Sequence, residues 1–179
     1  MLHLGIILER TRNDPNSILL FEDHAEIILY NKDRKEVCRT KIDLEDVKRA
    51  SNFKWHLSTL NYVKSCKNKK HKDALLHRLV MKAKKGEEVD HINRNVLDNR
   101  KFNLRRCSRQ QNCCNRKIQT NNTSGVRGVV WNKKSEKWRA QISYFSKMKA
   151  LGDFSKKGDA EAAYKEASKR LYKNFSPEI

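Results

Sequence analysis

Four polar residues in the middle of the sequence have the chemistry of a hydrolytic site. Asp90 and His91 are adjacent on an otherwise apolar run, and Asn103 and Asn112 follow in a stretch rich in arginine. A neutral imidazole can take a proton from water, because its ordinary pKa is about 6.5. Carboxylate and amide oxygens suit hard divalent cations such as Mg²⁺ or Mn²⁺. The set therefore predicts a site that holds a cation beside a phosphate and activates a water molecule.

These residues must be positioned by a strand, a turn, a second strand and a helix. The predicted bounds are 87–92 for the first strand, 93–101 for the turn, 102–107 for the second strand and 108 onward for the helix. Asp90 and His91 come at the end of the first strand. Ser108 and Gln111 form a capping-box signature, so the helix that they open carries Asn112.

Short strands and two helices are predicted before this segment. The strands are expected at 17–21, 26–30 and 36–40, with one or two more within 53–66. Asp43 precedes apolar residues at helical spacing, which predicts a short helix with Asp43 as its N-cap. The apolar spacing that begins at Leu75 predicts an amphipathic helix over 74–85, which carries His77.

The charge of the chain points to a polyanionic partner. The 179 residues include 40 Lys or Arg and 21 Asp or Glu, which gives a formal net charge of +19. Residues 51–122 carry 18 basic and 5 acidic side chains, whereas residues 1–50 carry 9 and 10. The sequence has neither a run of about 18 apolar residues nor a recognisable signal peptide. We therefore expect an intracellular protein of the cytoplasm or nucleoid that binds nucleic acid and no membrane.

The cysteines predict neither a disulfide framework nor a zinc site. The five are Cys38, Cys66, Cys107, Cys113 and Cys114, and they include no Cys-x-x-Cys pair. Structural zinc is disfavoured, and buried or half-buried thiols are the expectation.

The ordered motifs of residues 77–112 resemble those of the HNH nuclease family. The resemblance is sharpest for the phage and intron-encoded branch, the homing-type enzymes. The matching motifs are His77-Arg-Leu79, Val89-Asp-His-Ile-Asn93, Leu97-Asp-Asn-Arg100, Asn103-Leu-Arg105 and Gln111-Asn112. Five motifs in this order make a chance match improbable, whereas Asp90 and His91 alone would carry little information.

The resemblance implies a ββα-metal (His-Me finger) core and a one-metal mechanism. His91 corresponds to the general base, and Asn103 corresponds to the residue that fixes the orientation of its imidazole. Asp90 and Asn112 correspond to the two protein ligands of one divalent ion, Mg²⁺ or Mn²⁺. Because the last position is Asn112 rather than a histidine, a tight transition-metal site is disfavoured.

Taken singly, these residues have ordinary structural explanations. Asp90 could cap a turn, and the two asparagines could be loop and helix-surface amides. Residues 98–100 are expected to brace the turn, and His77 is expected to pack against the site or touch the DNA backbone. Arg105 and Arg109 are expected to meet phosphates, since arginines are dense in this stretch.

The segment from 125 to 179 resembles the AP2 DNA-binding domain. Three strands are predicted at 125–131, 137–143 and 147–152, followed by a helix with Asp159 as its N-cap. The matching elements are Gly125-Val-Arg-Gly-Val129, Trp131, Trp138-Arg-Ala-Gln-Ile142, Leu151-Gly-Asp-Phe154 and the alanine-rich helix 160–167. The resemblance implies a three-stranded sheet that lies in the major groove of DNA.

The exposed face of that predicted sheet is expected to contact DNA. The residues assigned to these contacts are Arg127, Trp131, Lys137, Arg139 and Gln141. One of Trp131 and Trp138 is expected to lie in the core instead, because side chains alternate along a strand.

Together these features predict an α+β protein with two domains. The nuclease domain is expected at 1–118 (strand region 1–73, helix 74–85, ββα-metal motif 86–118), then a linker at 119–124 and the AP2-like domain at 125–179. The predicted function is a metal-dependent endonuclease that nicks or cleaves double-stranded DNA, as a monomer or a homodimer. The alternatives are a non-catalytic, sequence-specific DNA-binding protein with an inactive HNH fold, and a protein that acts on RNA.

Overall fold

The computed structural model describes residues 15–65, 73–116, 118, 120–144, 147–172 and 175. The chain divides into two compact units, with the boundary between Arg106 and Cys107. The linker predicted at 119–124 thus falls within the second unit. Predicted features before residue 15 and at Cys66 lie outside the described residues. No helix in the described ranges is long and apolar enough to cross a membrane.

The first unit contains a three-stranded antiparallel sheet, and its strands lie where short strands were predicted. Its strands are β1 (Ile18–Leu20), β2 (Ala25–Tyr30) and β3 (Glu36–Ile42), in that order. The central strand β2 buries Ala25, Ile27 and Leu29 at alternate positions, so one face of the sheet forms the core of the unit. On β3 the buried positions are Thr40 and Ile42, and the threonine is a polar residue in an otherwise apolar row.

Short elements complete the core of the first unit. They are a 3₁₀ turn (Leu44–Asp46), α1 (Val47–Ala50), β4 (Trp55–Leu57), its partner β5 (Val63–Ser65) and α2 (Leu76–Val80). The core side chains are Ala25, Ile27, Leu29, Ile42, Ala50, Trp55, Val63, Leu76, Val80, Val89 and Leu104. This core includes one residue from each of the two strands that carry the candidate site, Val89 and Leu104.

The helix predicted over 74–85 is much shorter than its apolar pattern. It ends at Val80 because Lys82 adopts a left-handed conformation with φ of 49°. The N–H groups of Lys82 and Ala83 then donate to the carbonyls of Leu79 and Arg78, at 3.1 and 2.9 Å, which is the hydrogen-bond pattern of a Schellman motif. A left-handed lysine is uncommon, so the end of this helix at Val80 was not predictable from the residue types.

The predicted strand, turn, strand and helix of the candidate site are present. β6 (Glu88–His91) pairs with β7 (Leu104–Cys107), and α3 (Arg109–Cys114) follows. The capping box is formed: Ser108 Oγ accepts from the N–H of Gln111 at 3.2 Å, and Gln111 Oε1 accepts from the N–H of Ser108 at 2.8 Å. α3 belongs to the second unit, whereas β6 and β7 lie in the first, apart from Cys107.

The second unit contains a three-stranded antiparallel sheet in the order β10-β9-β8. The strands are β8 (Val129–Asn132), β9 (Lys137–Tyr144) and β10 (Lys147–Phe154), and α4 (Lys157–Tyr172) packs on one face. Its helix begins at Lys157, two residues before the predicted N-cap Asp159, which lies in the first turn. Val129, Ala140 and Ile142 form the sheet side of the core.

Gly128 allows the sheet and α4 to approach closely. A Cβ atom at this position would lie 2.3 Å from the ring of Tyr164 and 2.5 Å from the carbonyl oxygen of Gln141. The residue also has φ of 69°, a conformation that favours glycine. Gly128 is therefore required both by its backbone conformation and by the packing of α4.

Strand register corrects the predicted position of Trp131. Trp131 lies directly opposite Trp138, and the two rings meet edge to face with centroids 5.1 Å apart. Trp138 shares its face of β9 with the buried Ala140 and packs on the core, so both tryptophans belong to the α4 side of the sheet. Trp131 is 46% exposed because it lies on an edge strand, not because it is on the open face.

Candidate active site

His91 is a buried residue at the end of β6. Its residue surface is 4% exposed, and its Nε2 atom lies 3.2 Å from Oδ1 of Asn99. The sequence motif assigned the contact with this imidazole to Asn103. In the structure the asparagine that contacts the imidazole is Asn99, eight residues after His91.

The hydrogen bonds of Asn99 define which nitrogen of His91 carries a proton. Asn99 Nδ2 donates to Thr40 Oγ1 at 2.8 Å and to the carbonyl of Val96 at 3.1 Å. The hydroxyl of Thr40 in turn donates to the carbonyl of Leu97 at 2.9 Å. Asn99 Oδ1 is therefore an acceptor and takes the N–H of His91 Nε2. In the neutral imidazole, Nδ1 is then the nitrogen that can accept a proton.

Asn103 holds the turn between the two strands. Its Oδ1 accepts from the N–H of Asn93 at 3.0 Å, and its Nδ2 donates to the carbonyl of Asp98 at 2.8 Å. Asn103 is 2% exposed, so both ends of its amide are used inside the protein. Asn103 thus braces the loop that carries Asn99, and it affects His91 only indirectly, through the position of that loop.

The turn itself is built from local side-chain hydrogen bonds. Asn93 and Asn95 each accept from the backbone N–H two residues ahead, at 2.8 and 3.1 Å. Asp98 accepts two hydrogen bonds from the guanidinium of Arg100, both at 2.9 Å. The prediction that residues 98–100 brace the turn is confirmed for Asp98 and Arg100.

The N-terminal sheet fixes the same turn from outside. The N–H of Lys41 donates to the carbonyl of Leu97 at 2.8 Å, and the N–H of Asn99 donates to the carbonyl of Lys41 at 2.9 Å. Asp43 occupies the predicted N-cap position, but its side chain makes no cap hydrogen bond. Its carboxylate accepts from the N–H of Lys101 at 2.7 Å instead. Strand β3 and the residues after it therefore determine where Asn99 lies.

Two aromatic side chains pack on the imidazole of His91. The ring of His77 meets it nearly edge-on, with centroids 5.1 Å apart, and the ring of Tyr62 lies 6.3 Å away. Burial, with smaller effects of His91 and Arg78, lowers the pKa of His77 to about 3, so His77 is neutral at physiological pH. Of the two positions expected for His77, against the site or on the DNA backbone, the structure shows the first.

Burial also keeps His91 itself neutral. It lowers the pKa of His91 below the ordinary histidine value. The hydrogen bond from His91 Nε2–H to Asn99 and the negative charges of Asp90 and Asp98 act in the opposite direction and are the smaller effects. A neutral imidazole is the form that can accept a proton from water.

Asp90 is paired with Arg105 across the two strands. The Nε and Nη2 atoms of Arg105 both donate to Oδ2 of Asp90, at 2.9 and 2.8 Å. Val89 and Leu104 point into the core, so Asp90 and Arg105 lie on the opposite face of the strand pair. The carboxylate is 8% exposed and the guanidinium side chain 18% exposed. Arg105, which was predicted to meet phosphate, is bound to a carboxylate here.

The predicted metal ligands are hard oxygen donors. Asp90 supplies a carboxylate at the end of β6, and Asn112 supplies an amide on α3. Among the described residues, no group of three or more His, Cys, Asp or Glu side chains could hold a metal ion. The cysteines Cys38, Cys107 and Cys113 are free thiols. Carboxylate and amide oxygens are donors of the kind that Mg²⁺ and Mn²⁺ take in proteins.

The predicted DNA contacts of the second unit divide into two groups. Lys137, Arg139 and Gln141 lie on the open face of β9, opposite the face that packs on α4. Arg139 donates to both carboxylate oxygens of Asp153, at 2.7 and 2.8 Å. Arg127 differs, because its guanidinium donates to the carbonyls of Cys113 and Arg116 at the end of α3.

The hydrogen bonds of Arg127 satisfy carbonyls that a helix end leaves without partners. Arg127 therefore links α3 to the segment just before β8, and its contact with DNA stays a prediction. Arg109, the first residue of α3, is exposed. Trp131 lies on the α4 side of the sheet, as described above.

Sequence reasoning missed Thr40 and Asn99. Asn99 lies within a matched motif, Leu97 to Arg100, but nothing in the sequence separates its role from that of Asn103. Thr40 lies on the inward face of β3, two residues before the buried Ile42. The alternation of side chains along the strand was the sequence signal that could have marked Thr40 as buried. Its partner lies 59 positions away, which local patterns do not reveal.

Part of the chain is similar to known proteins. Residues 74–113 match the family model described as HNH endonuclease. Over 59 residues the chain is 39% identical to Protein 3.8 of Escherichia phage T7, which covers 33% of this chain and 49% of that protein. The chain thus spans about half the length of this relative. No solved structure is significantly similar to this chain. Residues 74–113 form an HNH endonuclease domain.

Proposed function

We propose that this protein is a metal-dependent DNA endonuclease that hydrolyses a phosphodiester bond with His91 as general base. The observation that carries the proposal is the hydrogen bond from His91 Nε2 to Asn99, which orients the imidazole and favours the neutral form whose basic nitrogen is Nδ1. The HNH endonuclease domain and the net charge of +19 support a nuclease with DNA as its substrate.

His91 acts on the attacking water. Nδ1 takes one proton as the water oxygen bonds to phosphorus, and the bond from phosphorus to the 3′ oxygen breaks. Asn99 keeps the ring in one orientation and accepts from Nε2–H, which becomes a stronger donor when the imidazole is charged. The packing of His77 and Tyr62 limits rotation of the ring. These contacts support a base that is oriented before substrate binds.

Asp90 would supply a carboxylate ligand from the first unit to a Mg²⁺ or Mn²⁺ ion. The sequence motif assigns Asn112 as the second protein ligand. A bound ion would supply positive charge that stabilises the negative charge on the phosphate and on the leaving oxygen. Two neutral or singly charged oxygen ligands select weakly among divalent ions, so both Mg²⁺ and Mn²⁺ should support cleavage.

The second unit anchors the enzyme on DNA in this proposal. The open face of its sheet carries Lys137, Arg139 and Gln141, and the arrangement of three strands and one helix supports an AP2-like mode of binding. Arg109 at the start of α3 is a further candidate for phosphate contact. The fork between Arg139 and Asp153 restricts the guanidinium before DNA arrives.

The biological role follows from the resemblance to phage and intron-encoded enzymes. A homing or phage nuclease acts on DNA inside a host cell, and the relative Protein 3.8 comes from a phage. One active site hydrolyses one strand per encounter, so a monomer should nick and a homodimer should make paired breaks.

Supercoiled plasmid provides the test of this proposal. The protein is incubated with plasmid and Mg²⁺ or Mn²⁺, with EDTA, and with structured RNA as a second substrate, beside His91→Ala. We expect metal-dependent conversion to relaxed circles by the parent alone. Binding of plasmid without conversion by either protein would favour the non-catalytic alternative. Cleavage of RNA but not plasmid would identify an RNA nuclease instead.

A further inference from the structure

The contact between Arg105 and Asp90 differs in geometry from two other arginine–carboxylate pairs in the described part of the chain. Arg100 and Arg139 each place two nitrogens on the two different oxygens of a carboxylate. Both nitrogens of Arg105 converge on one oxygen, Oδ2 of Asp90. Because a guanidinium makes the same charge-assisted hydrogen bonds to carboxylate and to phosphate, an arginine in this position can exchange one anion for the other.

We propose that Arg105 competes with the divalent ion for Asp90 and thereby couples metal binding to DNA binding. The inference rests on the proposed function, in which Asp90 is a metal ligand. A guanidinium in contact with Oδ2 repels a divalent cation, and the repulsion is strong because the carboxylate is 8% exposed. The free protein should therefore bind the ion weakly.

DNA supplies the group that releases Asp90. A phosphate oxygen offers Arg105 the same kind of charge-assisted hydrogen bonds that Asp90 offers. When a phosphate takes the guanidinium, the carboxylate becomes available to the cation, and the repulsion decreases. By linkage, DNA then raises the affinity for the ion, and the ion raises the affinity for DNA by the same factor. Because of Arg105, the site therefore binds its metal ion mainly when DNA is already bound.

Arg106 provides a matched control for this proposal. It is the next residue of β7, carries the same charge, is 50% exposed and pairs with Glu87 rather than with Asp90. Arg106→Gln therefore changes net charge by the same amount as Arg105→Gln. Arg105→Lys keeps the charge beside Asp90, and thermal melts of all variants establish that they are folded.

Binding of Mn²⁺ to the full chain, measured by electron paramagnetic resonance, tests the inference without relying on activity. All proteins carry His91→Ala so that DNA remains intact. Without DNA, we expect Arg105→Gln to bind Mn²⁺ about tenfold more tightly than the parent. Arg105→Lys and Arg106→Gln should stay close to the parent. A short duplex should raise the Mn²⁺ affinity of the parent and have little effect on Arg105→Gln.

The opposite results would overturn the inference. Unchanged or weaker Mn²⁺ binding by folded Arg105→Gln would mean that Arg105 orients Asp90 or is only structural. Absence of Mn²⁺ binding in every variant, with and without DNA, would remove Asp90 as a ligand and the inference with it. Failure of the proposed function has a different signature, because a protein that never nicks plasmid can still show the Arg105-dependent change in Mn²⁺ affinity.

Discussion

The polar side chains of the candidate active site are buried, whereas those on the open face of the C-terminal sheet are exposed or half-exposed. His91, Asn99 and Asn103 are 4%, 1% and 2% exposed, and their side chains form hydrogen bonds within the protein. Lys137 is exposed, and Arg139 keeps 40% of its side-chain surface in solvent. The first region holds its groups in place before substrate arrives, and the second presents them to a partner.

This difference follows from the two tasks. A general base contributes only when its acceptor atom is held at one position, and a network of satisfied buried hydrogen bonds provides that constraint. Phosphate contacts on a duplex depend mainly on charge and tolerate solvent. Substitutions in the buried network should therefore change rate and stability, whereas substitutions on the open face should change affinity and its salt dependence.

The largest expected effect is on the packing that supports the open face. Gly128→Ala places a Cβ atom in the ring of Tyr164 and forces a left-handed alanine, so it should cost roughly 2–5 kcal/mol of unfolding free energy. Gly125→Ala is the matched control, since φ is 70° but no atom lies within 4 Å. It should cost only about 1–2 kcal/mol, the backbone part. Chemical denaturation followed by tryptophan fluorescence measures both, and equal costs would contradict the packing argument.

The next effect is on the orientation of the base. Asn99→Leu removes the acceptor of His91 Nε2–H and should lower the single-turnover cleavage rate about 10- to 100-fold. DNA affinity should remain unchanged. Thr40→Val removes the hydroxyl that accepts a hydrogen bond from Asn99 Nδ2, and it should lower the cleavage rate less than Asn99→Leu does. Thr40→Ser keeps the hydroxyl and should retain the parent rate. A Thr40→Ser rate as low as that of Thr40→Val would show that the methyl group, not the hydroxyl, matters.

A smaller effect concerns the buried neutral His77. Its pKa is about 3 in the folded protein and about 6.5 when unfolded, so between these values the unfolded state binds one more proton. Stability is therefore lost as pH falls from 6.5, by up to about 1.4 kcal/mol per pH unit from this residue. His77→Phe keeps an aromatic ring and cannot titrate. Urea unfolding at pH 7 and pH 5 should show a steeper loss for the parent, and parallel curves would refute this origin.

The smallest effect is expected on the open face itself. Arg139→Gln should weaken duplex binding by less than about tenfold and reduce the slope of log affinity against log salt by about 1. Lys165→Gln on α4 removes the same charge away from this face and should leave the slope unchanged. Titrations of a labelled duplex at several salt concentrations measure both slopes. Equal changes in the two variants would indicate binding through net charge alone.

Local patterns in the sequence predicted most elements of the fold. Strand positions followed from apolar alternation, and Ser108 with Gln111 marked the start of α3 correctly. The helix ends were predicted less well. The helix over 74–85 ends at Val80 because Lys82 adopts a left-handed conformation, and periodicity carries no information about such a residue.

Long-range contacts limited the prediction of the site. The motif identified His91 and Asp90 as candidate site residues. The partner of the imidazole is Asn99, and its position depends on Thr40 and on the hydrogen bonds between β3 and the turn. Strand register also could not be predicted from the sequence. In the second unit, the pairing with Trp138 places Trp131 on the α4 side of the sheet. Such contacts join residues that are far apart in the chain or depend on which residues face each other.

Single-turnover nicking by the parent and His91→Ala tests the central claim most directly. Supercoiled plasmid is mixed with excess protein and Mg²⁺, and the DNA affinity of each protein is measured under the same conditions with Ca²⁺ in place of Mg²⁺. We predict that His91→Ala loses at least about 100-fold in the rate constant and binds DNA as tightly as the parent. Equal rate constants for two folded proteins of equal affinity would contradict His91 as the general base.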